Sequence, residues 1–176
     1  MIYSQRIIIR RIIIGPALIL LLAIPCANAR TIQEAGAAVA VNAFYRFHIS
    51  HNKDFTARNI QLRRRFFTAQ FYQVLVDEIK RQAAYNKAHP DEVPDYDGDP
   101  LTNSQQYPDS FRVGKQVMDG NRARFTVSLM WSARTSRGKD KRDIIAVAVK
   151  AASGWLIDDI INDEGSSVRA EFTKAH

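Results

Sequence analysis

Apolar positions recur at helical spacing through the first half of the chain and at strand spacing through the second. Thr31-Ile32-Gln33-Glu34 reads as a capping box, so a helix is expected from there to about Ser50. Ala37, Ala40, Val41, Phe44, Phe47 and His48 form its inward face, and the small residues of its first half predict close packing. Residues 51–59 are a polar break. Ile60 to Phe67 predicts a short helix carrying Arg63-Arg64-Arg65. Thr68 caps a longer helix to about Lys87, with Phe71, Tyr72, Leu75, Ile79 and Ala83 as its buried stripe, and His89-Pro90 ends it. From residue 111 the period becomes two. Phe111, Val113 and Val117 form one inward row, and Phe125, Val127, Leu129 and Trp131 form the next. Asp119-Gly120-Asn121 is the hairpin turn between them. Ala133 to Asp143 reads as a charged loop and Ile144 to Val149 as a strand apolar on both faces. Ser153-Gly154 then turns the chain into Trp155–Ile160, and residues 162–176 read as a tail.

Helices followed by a four-strand meander predict an α+β domain, with N-terminal helices packed on one face of a curved four-stranded antiparallel sheet. Phe44, Leu75, Phe125, Val127 and Trp155 are expected to share one core. Between the two halves lies Asp95-Tyr96-Asp97-Gly98-Asp99-Pro100-Leu101-Thr102-Asn103-Ser104-Gln105-Gln106. Ordering so polar a segment costs entropy, so its side chains must hydrogen-bond something.

Composition adds an address. Arg6, Arg10 and Arg11, the apolar run Ile12–Ile24 and Ala27-Asn28-Ala29 have the form of a secretory signal with cleavage after Ala29. The run is short for a membrane span, and the domain is expected over 30–161 of a mature periplasmic chain. Cys26, the only cysteine, lies within the signal, where lipid attachment is the alternative to cleavage. Without it no disulfide can form, and stability must come from packing. Removing the three signal arginines leaves 22 basic against 18 acidic residues, an ordinary excess that does not argue for nucleic acid.

Several groups carry candidate chemistry. Asp95, Asp97 and Asp99 alternate like the start of a calcium loop, but Pro100 and Gln106 stand where that loop needs glycine and glutamate. The structural alternative is a turn in which Asp99 and Asn103 bond nearby backbone N–H groups, with Gln105 in reach. His48 and His51 lack a third zinc ligand, so neither a metal nor a cofactor is expected. Asp158 and Asp159 interrupt an apolar strand. Adjacent strand residues face opposite sides, so one should point at the helices and find a partner in Tyr45, Arg46 or His48. Arg63-Arg64-Arg65 and the basic loop Arg134, Arg137, Lys139, Lys141 and Arg142 read as solvated surface or as contacts to an anionic partner.

The helix ending Phe-Tyr-Arg-Phe, the Asp-Gly-Asp-Pro-Leu-Thr-Asn-Ser-Gln stretch and the closing Gly-Trp-Leu-Ile-Asp-Asp-Ile together resemble a family of uncharacterised bacterial envelope proteins. That family belongs to the nuclear transport factor 2-like superfamily of cone-shaped domains. The resemblance implies a cone fold but no set activity, because superfamily members include enzymes, dimerisation modules and binding subunits. The favoured function is a non-enzymatic module that binds a small ligand or an envelope protein, through Tyr45, His48, Asp97, Asp99, Asn103, Gln105, Asp158 and Asp159. The alternatives are an immunity protein against a periplasmic toxin, or a hydrolase or isomerase using an Asp–His pair made by Asp158 or Asp159 with His48. A homodimer is also compatible with the resemblance.

Overall fold

The structure, a computed structural model, describes residues 26–92, 98–132 and 140–174, with side chains from residue 35 onward. The signal segment through Pro25, Asp95, Asp97 and the loop arginines Arg134 and Arg137 lie outside the described residues, as does Lys139. Helices α1 (Cys26–Ser50), α2 (Ala57–Arg63) and α3 (Ala69–Ala88) come first, with a 3-10 turn at Arg64–Phe66 between the last two. Strands β1 (Ser110–Asp119), β2 (Arg122–Trp131), β3 (Asp140–Ala151) and β4 (Gly154–Ile161) follow as an antiparallel sheet in chain order, and α4 (Val168–Lys174) closes the fold. This is the expected α+β arrangement of helices and a four-strand meander. Among the described residues no helix is long and apolar enough to cross a membrane.

Helix α1 lies against the sheet through Ala37, Val41, Phe44, Tyr45 and His48, all buried. It is already formed at Cys26, so Thr31 is an interior helical position and not the expected cap. The intervening Ala-Asn-Ala-Arg sequence favours continuation of the helix, alanine and arginine being strong helix formers. Close packing does occur in its first half. A Cβ on Gly36 would stand 3.3 Å from Trp155 Cδ1, so the missing side chain is what lets the indole rest on the helix. Helix α2 starts earlier than the sequence pattern indicates, because the Thr56 hydroxyl accepts the Asn59 N–H at 3.3 Å. Thr68 caps α3 as expected, accepting the Phe71 N–H at 3.2 Å. The stripe of α3 runs through Phe71 and Leu75, with Tyr72 and Ile79 partly buried, but Ala83 is exposed. Phe44, Leu75, Phe125, Val127 and Trp155 do share one core.

Two β-bulges change which side chains face that core. On β1 the register slips between Val113 and Gln116, so Phe111 and Val113 pack inward while Val117 is left 53% exposed and Met118 takes the inward place. One extra residue inverts the alternation beyond it, which a strict two-residue period does not foresee. On β4, Val147 pairs with Asp159 and Ala148 with Ile157, leaving Asp158 as the extra residue.

The expected tail is instead part of the fold. Val168 and Phe172 of α4 are buried in the core, and Phe172 meets the Phe55 ring at 5.8 Å. Only two apolar positions carry this short helix, too few for a periodic pattern to register. Phe172→Ala should therefore lower the unfolding free energy by about 3 kcal/mol, the usual scale for a buried aromatic truncation. Chemical denaturation measures it, and a change under about 0.5 kcal/mol, the level of an ordinary surface substitution, would show that α4 is only loosely attached.

Candidate functional site

The central polar stretch closes on itself. Asp99 and Ser104 form an antiparallel bridge, with the Asp99 N–H donating to Ser104 O at 2.9 Å and the Thr102 N–H to Asp99 O at 3.2 Å. Gly98 sits at φ 135°, and a Cβ there would fall 2.8 Å from Ser104 O. Only glycine allows so close an approach. Asn103 takes the left-handed φ of 50° that the tip requires, a conformation asparagine tolerates better than most residues. The turn pushes Leu101 into the core, where it is 1% exposed, and the Tyr45 hydroxyl donates to Leu101 O at 3.3 Å.

Beneath the turn lies a buried ionic chain. Asp99 Oδ1 accepts the Leu101 N–H at 3.0 Å, and Oδ2 accepts the Thr102 hydroxyl at 2.7 Å. The same Oδ2 stands 2.7 Å from His48 Nε2. The other ring nitrogen, Nδ1, accepts the Arg63 Nε–H at 2.7 Å. Arginine has only donors, so Nδ1 must hold the lone pair, and Nε2 carries the proton donated to Asp99. Arg63 further donates to Asn59 O at 2.8 Å and Asn52 O at 2.7 Å. His48, Arg63 and Asp99 are each 1% exposed. Burial draws the Arg63 guanidinium below its ordinary value, and the Asp99 charge partly restores it. Burial, helped by Asp99, pushes the Tyr45 phenol well above its usual range.

The partner of His48 is therefore Asp99, and neither Asp158 nor Asp159. The bulge at Asp158 replaces strict alternation, so both carboxylates are buried and both serve α4. Asp158 Oδ2 meets Arg169 Nη1 at 2.7 Å and Arg122 Nη2 at 3.2 Å, while Oδ1 accepts the Thr68 hydroxyl at 2.8 Å. Asp159 Oδ1 accepts the Arg169 N–H at 3.0 Å, and Oδ2 accepts the Ser167 hydroxyl at 2.6 Å. Tyr45, His48, Asp158 and Asp159, named above as candidate binding residues, are thus buried and held by hydrogen bonds of the framework. His51 is not beside His48 in a shared site; it stacks on Phe47, with ring centroids 3.9 Å apart. Among the described residues no group of three or more His, Cys, Asp or Glu could hold a metal.

The basic triplet is split by its environment. Arg63 is internal, whereas Arg64 lies over the Tyr72 ring and Arg65 over Phe47 and Phe66. Sequence reasoning missed Arg63 because the run reads as solvated. Its helical phase was the available signal, since it lies on the same face as buried Asn59 and Ile60.

The outer side of the turn borders an open cleft of about 690 Å³, lined by Asn103–Gln106, Trp131, Asp140–Arg142 and Glu164. The Asn103 side chain donates from Nδ2 to Asp163 Oδ1 at 2.9 Å, and Arg142 holds the Asn103 backbone O while pairing with Asp163 at 3.3 Å. Trp131 Nε1–H donates to Gln106 O at 2.6 Å. Gln105 is exposed at the edge of this cleft and does not reach Asp158 or Asp159.

No family model matches the chain, and no curated protein matches it. Among solved structures it is similar to a crystal structure of a protein of unknown function from Bacteroides thetaiotaomicron VPI-5482. That match has 17% identity and a TM-score of 0.42, and it covers 76% of this chain and 94% of the other.

Two predictions test this site. Asp99→Ala strands a buried guanidinium and should cost about 3–5 kcal/mol, whereas the double variant Asp99→Leu/Arg63→Met should recover much of that loss. Denaturation of the single and double variants decides it, and equal losses in both would mean the two charges are not coupled. The second concerns Asp54, whose carboxyl is held below its usual range first by the Tyr107 hydroxyl, 2.5 Å away, and then by Asn52. A depressed folded value contributes stability present above the unfolded value and lost as pH falls through the folded one. Tyr107→Phe should raise the Asp54 midpoint in an NMR titration, and an unmoved midpoint would assign the shift elsewhere.

Proposed function

We propose that the chain is an exported, non-enzymatic binding module of the bacterial envelope, built on the cone-shaped fold of the nuclear transport factor 2-like superfamily. The binding side is the cleft beside the Asn103 turn. One observation carries this reading: the histidine and carboxylate that an enzyme would need are sealed and fully engaged by the framework. General acid–base work needs a group within reach of substrate, and His48 offers no free nitrogen and almost no surface. The cleft, by contrast, presents Gln105, Lys141, Asp140 and Glu164 around an indole. Mixed polar groups beside one aromatic plane suit a polar ligand or a partner loop.

A photo-crosslinking residue at Gln105 tests the site. In envelope extract it should form an adduct that Lys141→Glu weakens and that the same crosslinker at exposed Val117 does not form. Identical adducts from both positions, or turnover of a hydrolase substrate that survives loss of His48, would overturn the proposal. Export is tested separately: material from the periplasm should begin at Arg30 on N-terminal sequencing, and a lipid-modified Cys26 or an uncleaved chain would refute cleavage after Ala29.

A further inference from the structure

A second face, sharing no residue with the cleft, carries its own chemistry. Helix α2 and the 3-10 turn behind it bury Asn59, Ile60 and Arg63 and turn Arg58, Leu62, Arg64 and Arg65 outward. Leu62 is 50% exposed, one of three large apolar side chains left so open among the described residues. It lines two hollows at once, one of about 650 Å³ shared with Arg64, Phe67 and Leu156, the other of about 380 Å³ shared with Arg58 and Asn52. A side chain that borders two hollows is a crest between them and not the floor of a groove. Among the described residues Arg58, Arg64 and Arg65 have no carboxylate partner. The one carboxylate bordering either depression, Asp54, is held by Tyr107. Arg64 and Arg65 are steadied with their guanidinium carbons 5.3 Å from the Tyr72 centroid and 4.8 Å from that of Phe66. Buried Arg63 fixes the whole segment to α1 and to the 51–59 loop.

We propose that this face docks on an anionic phospholipid bilayer, with Leu62 entering the interface and Arg58, Arg64 and Arg65 taking lipid phosphates. Guanidinium forks match phosphate oxygens in pairs, and a leucine flanked by arginines and aromatic rings is the composition of an interfacial contact. An acidic peptide in one of the two hollows is the competing occupant, and a half-exposed leucine standing between them among three guanidinium groups favours a surface of phosphates over it. The inference is independent of the cleft.

The test is sedimentation of the full chain with vesicles of phosphatidylcholine alone or with one third phosphatidylglycerol. The readout is the ratio between wild type and variant on the same vesicles, so the contribution of the N-terminal apolar stretch divides out. Wild type should partition onto the anionic vesicles and release as salt shortens the screening length. The variant Arg58→Gln/Arg64→Gln/Arg65→Gln should bind about a hundredfold more weakly, at roughly fivefold per arginine. Leu62→Ser, which touches no ion pair, should weaken binding at every salt concentration and keeps the test decisive where the triple variant folds poorly. A ratio of wild type to the arginine variant that is the same on both vesicle types, or unchanged binding by both variants, would overturn the proposal. Capture of a polyglutamate peptide without vesicle binding would replace the bilayer with an acidic protein partner.

Discussion

Placing one guanidinium and one carboxylate inside the protein is the constraint on which the rest of the structure depends. Arg63 comes from the end of α2, His48 from the last turn of α1 and Asp99 from the turn before the sheet. His48 stands 15 residues from Arg63 and 51 from Asp99, and its imidazole joins the two charges. Each charge is costly to desolvate, and a buried pair holds only if the remaining donors and acceptors are satisfied. Here they are. Arg63 spends its other N–H groups on Asn59 O and Asn52 O, and Asp99 takes the Leu101 N–H and the Thr102 hydroxyl. The backbone turns at 52–59 and 99–104 are thus shaped to the needs of two charges.

A similar logic operates at the far end of the chain, with a bulge as its device. Without the extra residue at Asp158, alternation would send Asp158 and Asp159 to opposite faces. With it, both reach α4: one carboxylate takes the Arg169 side chain, the other the Arg169 N–H and the Ser167 hydroxyl at the helix start. Asp158 also takes the hydroxyl of Thr68, the residue that caps α3. Two acidic residues in a strand therefore tie both flanking helices to β4.

The coarse fold was legible because its signals are periodic and local. Thr68 as a cap, the Gly120 turn and the switch from helical to two-residue spacing all depend on a few adjacent residues, and all appear as read. The polar stretch around Asp99 was also visible, since such a segment must bond something. What it bonds was not visible, because His48 lies 51 residues away and periodicity carries no information on cross-chain pairing. The bulges escaped for a related reason. A bulge is one inserted residue, and Val117 looks like any other inward strand valine until the slip at Gly114-Lys115 exposes it. Helix α4 escaped because two apolar anchors on a seven-residue helix do not make a stripe.

Three consecutive arginines show how far environment, and not residue type, sets a role. Arg63 has the helical phase of Ile60 and Asn59 and is carried inside, where His48 and Asp99 make the burial tolerable. The next residue leaves the α-helix for a 3-10 turn, and that tighter winding carries Arg64 and Arg65 onto aromatic rings at the surface. The internal arginine is then what gives the outer two a fixed platform. Its bonds to Asn52 O and His48 hold the turn in place, so the outer guanidinium groups lose less freedom on meeting an anion than they would on a loose loop. A lysine at position 63 could not do the same, since one ammonium cannot present the Nε–H to His48 and the forked N–H groups to Asn52 and Asn59 in a single plane.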